Sequence, residues 1–89
     1  ASVLGRQLLR SGTSVAANYR AACRSRSRAE FIAKLGIVEE ETDESVLWIE
    51  LLVDGGLVKE ELVAELCNEA HELLAIVVAS IRTARRNKK

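Results

Sequence analysis

Ser27-Arg28-Ala29-Glu30-Phe31, answered downstream by Asp54-Gly55-Gly56, brackets the stretch that decides the fold. Ser27 and Glu30 have the S-x-x-E spacing of a capping box, in which each side chain satisfies the other residue's backbone amide at a helix start. From there Phe31, Leu35, Val38, Thr42, Ser45, Ile49 and Leu52 recur at the helical period. The run ends at glycine, the residue that most readily takes the left-handed conformation of a helix stop. The pattern predicts a helix over residues 28–54, and Ala29 to Val53 would span about 37 Å at the usual rise per residue.

Upstream, Leu4, Leu8, Val15, Tyr19 and Ala22 follow the same period, with a lapse at Ser11 and Gly12. A helix over about 2–24 is expected. Ser11, Thr13 and Ser14 can back-bond to carbonyls, so a kink belongs near Gly12, which would serve close packing. Arg24 to Arg28 forms a polar break. Downstream, Lys59-Glu60-Glu61 places acids where a helix dipole favours them, and Leu62, Leu66, Ala70, Leu73, Val77, Ile81 and Ala84 carry a third helix over about 58–85, with a basic tail at 86–89. Breaks this short make sequential helices neighbours, so residues 1–89 are expected to form one all-α antiparallel up-down helical bundle.

Composition agrees. Apolar residues make up 48% of the 89, aromatics 3%, and proline is absent, which disfavours an all-β fold. Two cysteines cannot build a disulfide framework, and no apolar run reaches the about 18 residues of a membrane span, so a cytoplasmic location without membrane contact is expected. The apolar faces are nevertheless wider than three helices need. Val63, Cys67, Leu74 and Val78 add a second row to the last helix, and Ile32, Leu47, Trp48 and Leu51 widen the middle one. A fourth helix upstream, a neighbouring subunit, or both would cover them. The start at Ala1 and the lack of methionine suit an upstream segment.

Thirteen basic and thirteen acidic residues cancel, but they are segregated. Residues 1–28 carry +6 with no acid, residues 29–72 carry −11, and residues 73–89 carry +5. In an up-down array the Arg24–Arg28 break and the basic tail fall at one end. Arginine's planar fork suits phosphate, so Arg20, Arg24, Arg26, Arg28, Arg85, Arg86, Lys88 and Lys89 are the candidate nucleic-acid contacts. They lack an aromatic platform, so they would hold the backbone without reading bases. The plainer account is that these residues answer helix dipoles, keep the tail in solution, and pair the first helix with the acidic second.

Other chemistry is thinner. Cys67 and His71 stand four apart on one helix face, but two ligands do not hold zinc, and the other thiol, Cys23, is far along the chain. Glu40-Glu41-Thr42-Asp43-Glu44 fits E-E-x-x-E and so resembles the magnesium-binding helix of MazG-type nucleotide pyrophosphatases. Their second pair, E-x-x-D, is missing, because Glu50 and Asp54 are four apart and Glu69 and Glu72 give E-x-x-E. There is no Gly-rich phosphate loop and no catalytic set, metal site or cofactor site.

One resemblance is more specific. Gln7-Leu8-Leu9-Arg10-Ser11-Gly12-Thr13-Ser14-Val15-Ala16-Ala17-Asn18-Tyr19 resembles the signature of the bacterial 23S ribosomal RNA intervening-sequence proteins. The likeness continues through Arg26 to Ile37 and at Glu44 with Leu47-Trp48-Ile49, about half the chain in order. Ala21 stands where that family has an acid, and the family's preceding helix has no counterpart here. The resemblance implies a four-helix bundle assembled as a ring-like homopentamer, related to retroelement accessory proteins that bind RNA and a reverse transcriptase. Asn18, Tyr19, Phe31, Trp48, Val63, Leu74 and Val78 are then expected to serve the core or the oligomer. The expected function is a non-enzymatic homo-oligomer that binds RNA. Its rivals are a scaffold for partner helices and, more remotely, the pyrophosphatase.

Overall fold

The computed structural model describes residues 2–87 and contains three helices, with no strand among the described residues: α1 (Ser2–Cys23), α2 (Arg28–Asp54) and α3 (Glu60–Arg86). Local chemistry sets the ends of α2. Ser27 is extended, at φ −144° and ψ 159°, and its hydroxyl accepts the Glu30 amide at 3.0 Å. The Glu30 carboxylate takes the Arg26 amide at 3.3 Å, one residue earlier than a reciprocal capping box requires. At the other end Gly56 has φ +71°, the Gly56 amide donates to the Val53 carbonyl, and the Leu57 amide donates to the Leu52 carbonyl. That pair of bonds is a Schellman stop.

One boundary and one expected kink differ from the sequence pattern. The third helix begins at Glu60 rather than Val58, because the Val58 amide still reaches back to the Leu52 carbonyl and Lys59 is extended as the cap. The first helix runs unbroken through Gly12. Thr13 does back-bond, to the Leu9 and Arg10 carbonyls at 2.9 Å each, but a methyl group at Gly12 would meet nothing within 4 Å. Gly12 therefore serves no close packing within the chain.

The middle helix packs against both others, while α1 and α3 do not pack on each other. The result is a thin array of 50 × 20 × 14 Å. Ala22 of α1, Leu35 and Val38 of α2, and Val77 and Ile81 of α3 form the buried core, with Val15, Phe31, Ile32 and Leu73 packed around it. This core lies where α1 and α3 end and α2 begins. Toward the other end, α1 and α3 leave an apolar groove of about 540 Å³ with Thr42, Ser45 and Ile49 of α2 on its floor. Thr42 is buried there, and its hydroxyl has no hydrogen-bond partner.

On α3, Val63, Leu74 and Val78 of the second row are half-buried, whereas Leu66 of the first row and Ile76 are 50% and 61% exposed. On α2, Trp48 is half-buried, and the exposed members of the widened stripe are Leu47 and Leu51.

Candidate nucleic-acid interface

Two turns of chain bring the candidate arginines to one place. Arg24 and Arg26 lie exposed in the α1–α2 loop, and Arg20 lies exposed in the last turn of α1. Arg85 and Arg86 occupy the last turn of α3, where cations suit the dipole. The tie between these elements is Arg28, whose guanidinium donates to the Asn87 carbonyl just past the end of α3. Loop and helix end are thus one cationic tip. Arg28 is a capping residue for α3, a role its sequence position did not disclose. Lys88 and Lys89 lie outside the described residues.

Arg82 was absent from the candidate set. Together with Arg85, Arg86, Ala79 and Thr83 it lines a shallow hollow of about 490 Å³ on α3. Its position three residues before Arg85 is the signal that would have found it. The hollow contains no aromatic side chain, so it offers charge and forked donors without a stacking surface.

The polar residues that carry the family likeness do something else. Arg10 and Ser11 pin α1 to α2, while Asn18 bonds within α1, donating to the Ser14 carbonyl at 2.9 Å and to the Ser14 hydroxyl at 3.2 Å. Arg10 donates to Gln7 at 3.2 Å and forms ion pairs with Glu41, at 3.1 Å, and with Glu44. The Trp48 indole donates to the same Glu44 at 3.2 Å. Beside them the hydroxyls of Ser11 and Ser45 meet at 2.7 Å, and Ser11 is wholly buried. The lapse in the apolar row at Ser11 is therefore a buried hydrogen bond across two helices. Tyr19, by contrast, is 47% exposed and lies outside the core.

Electrostatics follow the same seam. The Ser14 hydroxyl holds the Glu41 carboxyl below its ordinary range; burial opposes it, and the Glu44 and Arg10 side chains add smaller effects in the lowering direction. Glu44 and Glu41 in turn raise Arg10. With Glu41 and Glu44 engaged by Arg10, the E-E-x-x-E run does not present a free carboxylate cluster. Among the described residues no three His, Cys, Asp or Glu side chains are placed to hold a metal ion. Cys67 and His71 line a cleft of about 340 Å³ between α2 and α3, while Cys23 is exposed at the far end of α1.

A small all-helical array with a hydrogen-bonded α1–α2 seam and a cationic tip is the class that fold and site define. No described helix is long and apolar enough to cross a membrane. The profile of the 23S rRNA-intervening sequence proteins matches residues 1–79. The chain belongs to that family. It is also similar to the crystal structure of a protein of unknown function from the S23 ribosomal protein family of Bacteroides thetaiotaomicron, at 38% identity and a TM-score of 0.85, with 89% of this chain matched to 73% of that one. Among curated proteins none matches.

Proposed function

We propose that this chain is a non-enzymatic, cytoplasmic subunit of a homo-oligomer, with a pentamer favoured, that binds the backbone of RNA through its cationic tip. The observation that carries the reading is the Arg28 to Asn87 tie, which joins the loop arginines to the end of α3. The absence of aromatic side chains from the Arg82–Arg86 hollow favours contact with phosphate over contact with bases. The family's description as 23S rRNA-intervening sequence proteins associates it with an RNA locus and names no reaction.

The packing supports an antiparallel four-helix bundle with one position open. Residue numbers rise along α1 as their partners fall along α2, from Arg10 with Glu44 to Ala22 in the cluster with Leu35. The groove between α1 and α3 is apolar and wide enough for a helix, and a helix upstream of α1 would suit it. The matched crystal structure has about a quarter of its chain outside the match, consistent with an additional element.

Binding is tested by titrating single-stranded RNA across a salt series. Four phosphate contacts give a slope of about −3 in log K against log salt. Replacing Arg26 and Arg85 together by alanine should lower the steepness by about 1.4, with the assembly's mass unchanged. A flat slope, or wild-type binding by that pair of changes, would remove phosphate contact as the mechanism. The scaffold reading is favoured by the exposed apolar groove. It forecasts tolerance of the arginine changes and failure on Leu66→Asp.

A further inference from the structure

Two outer strips of this chain are left over by the packing of the three helices, and they are opposite in charge. On α2, Ile37, Glu40, Leu47, Leu51 and Asp54 are separated by three, seven, four and three residues, so they share one stripe. All five are exposed, Leu47 at 47% and Leu51 at 39%, and the stripe includes no base. On α1, Val3, Thr13, Ala17, Arg20 and the adjoining loop residue Arg24 form a second stripe by the same rule, also exposed, with Val3 at 65%. Residues 1–28 contain no acid.

We propose that the α2 strip of one copy docks on the α1 strip of the next copy. The inference rests on the homo-oligomer reading above and names its interface. Apolar residues occur in both strips, and the surrounding charges are negative on one and positive on the other, so the occupant each strip suits is carried by a second copy of the same chain. Copies related by rotation about the bundle axis keep α1 and α2 antiparallel, as they run within one chain, and that register sets Ala17 against Leu47 and Arg24 against Glu40. The strips are different patches, so the contact is heterologous. Each subunit then gives one strip to each neighbour, the arrangement that closes into a ring or extends as a fibre. Arg20 and Arg24 face the neighbouring subunit, which leaves Arg26, Arg82, Arg85 and Arg86 for phosphate.

Solution mass measured by sedimentation, without nucleic acid, tests this. The wild-type chain should assemble, with association weakening as salt rises. Arg24→Glu, or Glu40→Arg, should each raise the association midpoint by about threefold or more while the far-ultraviolet helical signal is kept. Both changes in one chain restore opposite charge at that contact and should recover the wild-type mass. Wild-type mass in both single variants would overturn the interface while leaving the oligomer reading intact. Loss of assembly that the doubly changed chain fails to recover would also overturn the charge pairing. A wild-type chain that stays monomeric would overturn the interface and the oligomer reading together. Assembly that survives both charge reversals but fails on Leu66→Asp would instead assign the contact to the α1–α3 groove.

Discussion

The two ends of α2 are built on different terms. Around Leu35 and Val38 it is enclosed by both neighbours, with Ala22 from α1 and Val77 and Ile81 from α3 closing an apolar core. Around Ser45 and Ile49 it has α1 pinned to it by hydroxyls and ion pairs, while α3 stands away and leaves a groove. One end is held by burial of apolar surface, which is insensitive to pH and to register by single atoms. The other relies on directional bonds, which fix how α1 lies on α2 but close no core. The difference teaches that the chain spends its specificity where its packing is incomplete.

That contrast can be broken most severely at the closed end. Val38→Asp places a charge among side chains with no partner for it and should cost upwards of about 3 kcal/mol, enough to abolish cooperative unfolding in a domain this small. Leu66→Asp, in the open half, should leave the thermal midpoint within a few degrees. Paired melting curves check both.

A smaller effect sharpens the account of the groove. Gly12→Ala adds helix propensity and meets nothing within 4 Å, so the chain alone should gain up to about 1 kcal/mol in urea unfolding. If a helix fills the groove in the assembled protein, the same change should lower the stability of the assembly, because Gly12 lines that groove. The sign of the effect reports occupancy.

The smallest effect is the pH response of the seam. Glu41 is held below its ordinary value of 4.5, so its contribution is fully present above that pH and is lost as pH falls through its folded value. Unfolding midpoints of the wild type and Glu41→Gln should therefore differ at pH 7 and converge toward pH 3. Parallel acid limbs would show that the carboxylate is not linked to folding.

Much of α2 was legible because its ends are short-range chemistry. Ser27, Glu30 and Gly56 act on amides and carbonyls a few residues away, so spacing alone discloses them. The buried Ser11 was illegible for the converse reason: its partner, Ser45, lies 34 residues downstream, and nothing local distinguishes a hydroxyl that meets another from one that meets water. Arg28 was grouped with phosphate contacts for the same reason, since its acceptor is 59 residues away. On α3 the apolar face is wide enough for two adjacent rows. Whether Val63, Leu74 and Val78 or Leu66 and Ile76 turn outward depends on the rotation of the helix against α2, which periodicity does not specify. The segregation of charge was plain in the sequence, but the capping role of Arg28 and the hollow around Arg82 required the helices to be set side by side.

The chain has one tryptophan, and its indole nitrogen is bonded to Glu44, the carboxylate that also takes Arg10. Tryptophan fluorescence thus comes from a single site, and that site straddles the joint between the first two helices. Slippage of α1 along α2, by acid, by mutation or on joining neighbours, would alter the emission without any added label, while events confined to the arginine tip would leave it dark to the spectrometer.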